Sequence, residues 1–438
     1  MAFISDYLFA TQNNESPSVY HRWCCLSALS VLAGRRFWFN LGPFVYFPNF
    51  YTVLVGDPGV KKSAAMDVAK DLIRNIGGIP MAATSTTKEA ITKEMSNEKF
   101  TGKKFYKHPD TAVLVEYNQL AIFATEFTTF LGHINPEAML DFLTAIYTEK
   151  VYDEKYKNAG NAFFAGPYIT MLACMTPETA KGFIKQNILT GGFSRRTMFV
   201  FGLRGTPNPW PGNSPEQQAA LKRCIEWGKE LQNRCGEVKL TSCGRDWYHA
   251  WYMNNAAKLM DQKRSLQPYF GTKHEFLFKC GMLVALAETD KLEMSGALLD
   301  MMDKRFFAPV EAVMERVFEG AGINPNANVA AQICRMLEGL ERPISKKKLQ
   351  AMFGDQATSW RELADTLSHL CAVGRLVERT ISVGGQLRGT LVATPDTMAK
   401  YRDADLLQFL LVGGALPEAS DTGSSSPFGP SIPLGDQP

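Results

Sequence analysis

Phe50-Tyr51-Thr52-Val53-Leu54-Val55 runs straight into Gly56-Asp57-Pro58-Gly59-Val60-Lys61-Lys62-Ser63, and the reading of this stretch decides the fold. The first six residues are apolar or β-branched and predict a short buried strand. After the glycines, Ala64 to Ile76 holds helix formers without a breaker, until Gly77-Gly78 stops them. Strand, glycine-rich loop and helix form the setting in which a loop binds phosphate. Backbone N–H groups turn inward around the oxygens, and the helix N-terminus adds the positive end of its dipole. Gly56, Gly59, Lys62 and Ser63 stand at the required offsets, with Asp57, Pro58 and Val60 between them. In such a loop Lys62 neutralises the terminal phosphates and Ser63 ligates Mg²⁺. Lys61 departs from the pattern, standing where a glycine usually precedes the lysine. It either crowds the loop or carries its charge outward over the phosphates.

Working outward, further apolar strands are expected at Ala121–Ala124, Tyr168–Cys174 and Arg196–Phe201, with helical stretches between them. Residues 46–205 therefore read as an α/β sheet with crossover helices. Residues 1–45 read as a mostly helical segment, with Trp23, Leu26, Leu29 and Leu32 at near-helical spacing. Thr206–Pro211 breaks the pattern, and residues 206–320 are helical in periodicity, with Phe276, Leu277, Met282, Leu283 and Leu286 as a buried stripe. Beyond a turn-rich linker, residues 329–395 give three helices and then two strands joined by Gly384-Gly385-Gln386, the order of a winged helix. Residues 413–438, rich in Gly, Ser and Pro, read as a disordered tail in which Phe428, Ile432 and Leu434 are candidates for recruiting a replication partner.

Composition narrows the class. A chain of 438 residues suggests two or three domains. A net charge of +3 is too small to announce nucleic-acid binding, so any basic surface must be local. No apolar run approaches the roughly 18 residues of a membrane span, so no membrane partner is expected. The first residues lack a basic stretch and carry Asp6, unlike a secretory signal. Nine cysteines without a CxxC pair point to reduced thiols in a cytoplasmic protein rather than to a metal centre.

Val53 to Ser63 resembles the phosphate loop of minichromosome-maintenance helicases, which also reads Gly-Asp-Pro-Gly-Val and also lacks the last glycine. The order of motifs continues downstream. Ile122-Phe123-Ala124-Thr125-Glu126-Phe127 resembles that family's Walker B strand, with Thr125 in place of the usual Asp. The resemblance makes Glu126 the group that orients and deprotonates the attacking water. Lys157-Asn158-Ala159-Gly160 followed by Pro167–Pro177 resembles the pre-sensor hairpin and sensor-1 strand, with Thr176 at the polar sensor position. Gly192-Phe193-Ser194-Arg195-Arg196 resembles the arginine-finger motif, Arg195 matching the finger and Arg196 replacing a Phe. Thr272–Phe306 resembles the lid, and Lys279 falls near its sensor-2 cation.

The same motifs, with Pro48-Asn49-Phe50-Tyr51, are similar to helicase-like P-loop proteins of phages and prophages over residues 20–310. The resemblance implies an α/β fold: a P-loop NTPase core of AAA+ or RecA-like type, a helical N-terminal segment, a helical lid and a C-terminal winged helix. It implies ATP and Mg²⁺ as cofactors and a homo-oligomeric, hexameric ring. The activity implied is that of an ATPase and DNA helicase in phage or mobile-element replication, in the cytoplasm of a bacterial host. With Thr125 and Lys61 as they are, nucleotide binding is the firmer expectation. A nucleotide-binding switch or loader-like adaptor stays open.

Two insertions between core strands mix lysines with aromatic residues. Lys99–His108 carries Lys103, Lys104 and Lys107, and Lys150–Lys157 carries Lys150, Lys155 and Lys157. Lysines neutralise phosphates while Tyr and Phe stack on bases, so both are candidates to contact single-stranded or forked DNA. The winged-helix region adds Lys346, Lys347 and Lys348 at the start of its second helix and Arg388 on the wing, a surface suited to DNA or to protein docking.

Overall fold

Two helices open the chain in the computed structural model, α1 (Phe3–Thr11) and α2 (Ser18–Ala33), followed by the hairpin β1 (Phe37–Leu41) and β2 (Phe44–Tyr46). Residues 37–45 are thus largely a hairpin and not the helical continuation expected over residues 1–45. Gly34 takes a positive φ of 61° and ends α2, and Phe37-Trp38-Phe39 then turns its rings into the core as a strand. The structure describes residues 3–132, 135–156, 160–179, 192–203, 205–210, 212–258, 266–289, 291–319, 325–340, 342–353, 360–372, 374–383, 386–402 and 405–406. The chain forms two units, Met1–Asn324 and Pro325–Pro438.

The first unit is built on five strands. β3 (Tyr51–Val55) leads to α3 (Lys62–Ile76) and α4 (Lys88–Met95). β4 (Lys103–Lys107) and β5 (Leu114–Ala124) follow, then α5 (Phe127–Leu131), α6 (Pro136–Ile146) and a hairpin of β6 (Val151–Tyr156) and β7 (Gly160–Ala165). β8 (Pro167–Met175) and β9 (Thr197–Phe201) complete the sheet, in the order β4-β5-β8-β3-β9. β8, late in the chain, is thereby inserted between β3 and β5; every neighbouring pair is parallel except β4 with β5. β3 and β8 are buried at every residue, as the unbroken apolar runs of a sheet covered on both faces should be. Pleating splits them between two cores. Tyr51, Val53 and Val55 face α5 and α6, while Leu54 faces α2 and α3.

The second strand is longer than the expected Ala121–Ala124. Its N-terminal half pairs with β4, so Lys99–His108 is in part an edge strand rather than a free insertion. Lysines suit that place because an edge strand that carries charge resists pairing with other chains.

α2 is buried on nearly every side, the state expected of a helix without a polar face. It runs antiparallel to the sheet. Tyr20 lies near the C-terminal end of β3, Ser27 bonds Thr52 at 3.0 Å, and Ser30 shares a 2.8 Å bond with Thr170. Trp23 packs edge-on against Phe50 and Phe307, and a side chain so fully buried contributes about 1.5–3 kcal/mol or more. The other described α-helices of this unit are α7 (Pro215–Leu231), α8 (Ser242–Lys258), α9 (Gln267–Glu288), α10 (Gly296–Met302) and α11 (Ala308–Glu319), with short strands β10 (Gly236–Glu237), β11 (Lys239–Leu240) and β12 (Glu293–Met294) between them.

The second unit holds α12 (Pro325–Glu338), β13 (Ile344–Ser345), α13 (Lys346–Phe353), α14 (Trp360–Ala372), β14 (Val377–Val383), β15 (Gln386–Ala393) and α15 (Pro395–Ala399). Its antiparallel sheet runs β13-β15-β14 over a core of Ile333, Leu337, Leu349, Leu367 and Val392. The turn at Gly384-Gly385 and the tail 413–438 lie outside the described residues. The whole is a mixed α/β architecture, and no described helix is long and apolar enough to cross a membrane.

Candidate functional site

The strand register brings four loops to one end of the sheet. Val55 is level with Met175 and with Phe201, and Ala124 is level with Ala173. The segments starting at Gly56, Thr125, Thr176 and Gly202 therefore leave the sheet together. Gly56 N donates to Met175 O at 3.3 Å, and Gly202 N donates to Val55 O at 3.2 Å. In open α/β sheets, ligands bind outside these carboxyl ends.

The glycine-rich loop occupies that end for two separate steric reasons. Gly59 has φ 86°, where a side chain is strained. Gly56 has no such φ but is hemmed in, since a Cβ there would lie 2.4 Å from Tyr20 Oη. That hydroxyl donates to Val55 O at 2.7 Å, so Tyr20 forms a seat under the loop. Asp57, Pro58 and Gly59 are exposed and Val60 is buried beneath them. Lys62 Nζ folds back on the loop, donating to Gly56 O and to Asp57 O at 3.0 Å. These are backbone acceptors that an anion in the loop can replace.

Lys61 adopts φ 59°, a left-handed conformation that explains why glycine suits this position. Its side chain is 54% exposed and points outward, with Nζ 3.7 Å from Glu15, while its carbonyl accepts a 2.7 Å bond from Ser16 Oγ. It does not crowd the loop. As N-cap of α3 it supplies no side-chain acceptor, so the first N–H groups of the helix point into the loop without a capping partner. Ser63 is exposed in that first turn.

Across β8, Glu126 is exposed at the N-cap of α5, and its side chain makes no capping bond. Half-buried Thr125 brings no charge to the strand end. The buried Cys174 thiol reports the local field: burial pushes its pKa up to about 12, Lys62 opposes this, and the Glu126 and Asp67 carboxylates add to it. Asp67 lies one helical turn beyond Ser63 on the same face of α3. Ser63 with nearby carboxylates matches what Mg²⁺ takes from a protein, one or two oxygen ligands with the rest from phosphate and water. Among the described residues no group of three or more His, Cys, Asp or Glu forms a metal cage. The hydroxyl of Thr176, at the end of β8, is engaged in capping: it lies 2.9 Å from Thr179 Oγ1 and accepts from Thr179 N at 3.3 Å.

Other expected site residues lie elsewhere. Lys279, expected at the nucleotide, is at the opposite end of β3. It is buried, donates to Asn49 O at 2.8 Å and Asn49 Oδ1 at 3.0 Å, and lies over the Tyr147 ring. Burial lowers its pKa to about 7. The physical cause is that α9 is buried on all sides from Phe276 to Ala287, so Lys279 points into the core. Arg195 is at that same end, exposed, two residues before β9; its carbonyl accepts a 3.2 Å bond from Thr272 Oγ1. Arg196 is half-buried, donates to Gly192 O at 2.8 Å and packs on the Tyr147 ring. Of the β4 lysines, Lys103 pairs with Glu116 at 3.2 Å, Lys104 is half-buried with its pKa lowered by burial, and Lys107 is exposed. Lys150 and Lys155 are exposed, and Lys157 lies outside the described residues. In the second unit Lys346 is held by Glu378 at 2.7 Å, whereas Lys347, Lys348 and Arg388 are exposed.

The sequence reading missed Tyr20, Glu15, Ser16 and Asp67. Only Asp67 had a local signal, its i+4 spacing from Ser63. The other three reach the loop from the helical segment before β3. Scans against protein-family models and against the curated proteins found no match to this chain.

Proposed function

We propose that the chain is a P-loop ATPase of AAA+ type that binds ATP at the Gly56–Ser63 loop and acts on DNA as a helicase or translocase in phage or mobile-element replication, in the host cytoplasm. The observation that carries this reading is the convergence of the loop, Lys62, Ser63 and Glu126 on the C-terminal ends of β3 and β5. The inward N–H groups and the Lys62 ammonium hold the phosphates, Lys62 exchanging its carbonyl acceptors for phosphate oxygens. Ser63 would hold Mg²⁺, which would supply charge neutralisation at the phosphates. Glu126 takes the proton of a water as that oxygen bonds to the γ-phosphorus and the bond to the bridging oxygen breaks. Arg195 is exposed at the far end of the strand and serves a neighbouring copy, which requires a ring, hexameric on the family resemblance. The exposed lysines Lys107, Lys150 and Lys155, with Lys347, Lys348 and Arg388 of a winged-helix unit, contact single-stranded or forked DNA.

The test is the steady-state ATPase rate with and without single-stranded DNA, with particle size measured in nucleotide. Stimulation by DNA, loss of at least about 100-fold in Glu126→Gln, and a ring-sized particle are expected. Unstimulated hydrolysis by a monomer would sink the ring. A second reading, a nucleotide-binding switch, is favoured by Thr125, which brings no carboxylate, and by the Thr176 hydroxyl being engaged with Thr179. Tight ATP binding without phosphate release would select it.

A further inference from the structure

Beside the phosphate loop lies a cleft of about 480 Å³, within the usual range for small-molecule sites. It adjoins the loop through Lys61 and Ala64 of the first turn of α3. Its floor is apolar, with Val68 and Leu72 from α3 facing Leu221 and Ile225 from α7. Its rim is of carboxamides, including Asn13, Asn14 and Asn213. Apolar walls topped by groups that both donate and accept match the flat face and polar edge of a nucleobase. Bulk phosphate or a peptide carboxylate would call for positive charge, whereas the lining's lysine, Lys61, is turned to Glu15 and the other charged lining residues, Glu15 and Asp71, are acidic.

The chain bonded to this rim carries an unusual side chain. Trp210 is 86% exposed, although a ring of its size normally buries most of its surface. Its backbone is linked through Asn208 to residues of the cleft. Trp210 N donates to Asn208 Oδ1 at 3.1 Å, and Asn208 in turn donates to Glu15 Oε1 and to Asn13 O, both at 2.9 Å. Asn213, three residues on, lines the cleft. An exposed indole is thus tied by two short links to the rim of a cleft that adjoins a phosphate loop.

We propose that this cleft takes the base and ribose of the nucleoside triphosphate, that Asn213 and the Asn13–Asn14 amides read the base edge, and that Trp210 closes over the base by stacking. This rests on the loop being the phosphate site. It adds the residues that decide which nucleotide is preferred.

The test titrates the full chain with ATP, GTP, CTP, UTP and inorganic tripolyphosphate in the presence of Mg²⁺, by calorimetry and by tryptophan emission. ATP should bind at least about tenfold more tightly than tripolyphosphate, and only nucleosides should change the emission. Trp210→Phe should abolish the emission change, and Trp210→Ala should weaken ATP about tenfold while leaving tripolyphosphate within twofold. Asn213→Ala should flatten the preference among the four nucleotides. All three changes are on exposed residues, so circular dichroism should match the parent chain. Equal affinity for ATP and tripolyphosphate, or an unchanged ATP affinity in Trp210→Ala and Asn213→Ala, overturns the cleft assignment and leaves the loop reading standing. Failure of every ligand to bind overturns both.

Discussion

Two lysines stand at opposite ends of the same strand, and they are alike in sequence but not in use. β3 is five residues long, so roughly 16 Å of strand separates the levels of Lys62 and Lys279. Lys62 is partly exposed and bonded to loop carbonyls that a ligand can displace. Lys279 is buried, fixed by both oxygens of Asn49 and by the Tyr147 ring, with its pKa brought down to about 7. A cation poised to meet a ligand keeps replaceable partners and access to water. A cation that holds a fold together has neither. The same contrast runs through the whole sheet: open polar loops at one end, and Arg196, Tyr147, Asn49 and Lys279 locked together at the other.

Exchanging the roles of the two ends should give the largest effects. Lys62→Ala should lower kcat/KM for ATP by at least about 100-fold and leave urea unfolding within about 0.5 kcal/mol. Lys279→Ala should do the reverse, costing about 2–3 kcal/mol because Asn49 is left buried without its partner, with ATP affinity per folded molecule unchanged. A loss of ATP binding in folded Lys279→Ala would break the comparison.

α2 spans both ends, and it carries His21, whose ring nitrogens are buried without a hydrogen-bond partner among the described residues. Burial lowers its pKa to about 4. The unfolded chain protonates this ring below about 6.5. Between 6.5 and 4 the unfolded state therefore binds the additional proton, and stability falls as pH drops through that window. Above it the residue has no effect. The loss at pH 4 is about 3 kcal/mol at most. Urea unfolding at pH 7 and pH 4.5 should show a loss in the native chain that His21→Phe removes. An equal loss in the variant would move the acid sensitivity to other groups.

What was legible in the sequence follows from the same physics. β3, β8 and β9 were readable because strands buried on both faces are apolar or β-branched at nearly every position. β4 and the first half of β5 were not, because Lys103-Lys104-Phe105-Tyr106-Lys107 and the polar Glu116-Tyr117-Asn118-Gln119 at a sheet edge look like a solvated loop. The turn at Gly56–Ser63 between β3 and α3 was readable because its geometry is local, fixed by glycines a few residues apart. Its surroundings were not. Tyr20, Glu15 and Ser16 meet the loop only through tertiary packing, and the cleft is assembled from residues about 200 positions apart in the chain. Lys279 was misplaced because a residue count along a long helix does not reveal which face the sheet covers.

The seat under the loop can be tested next. Gly56→Ala sets a methyl 2.4 Å from Tyr20 Oη, an overpacking that costs about 1–3 kcal/mol. Removing the hydroxyl in Tyr20→Phe should recover about 1 kcal/mol of it in a double-mutant cycle, the rest being contacts with Val60 and the Gly202 carbonyl. Equal costs in the two backgrounds would mean that Tyr20 does not set the loop's position.

The smallest effect is expected at Lys61, where opposing contributions nearly cancel. Its left-handed backbone costs about 1–2 kcal/mol, which Lys61→Gly relieves. Glycine returns about 0.4–1 kcal/mol of that as extra freedom in the unfolded chain. The pair with Glu15, long at 3.7 Å and half in solvent, contributes under about 1 kcal/mol. Stability should therefore change by less than about 1 kcal/mol, in the stabilising direction. ATP affinity is the sharper readout. With the Lys61 ammonium turned to Glu15 and Lys62 turned into the loop, Lys61→Gly should bind ATP within about threefold of the native chain, because a surface charge already paired in solvent adds little to a neighbouring anion. A tenfold loss would show that Lys61 leaves Glu15 when phosphate arrives, and the loop would then present two lysines to its ligand.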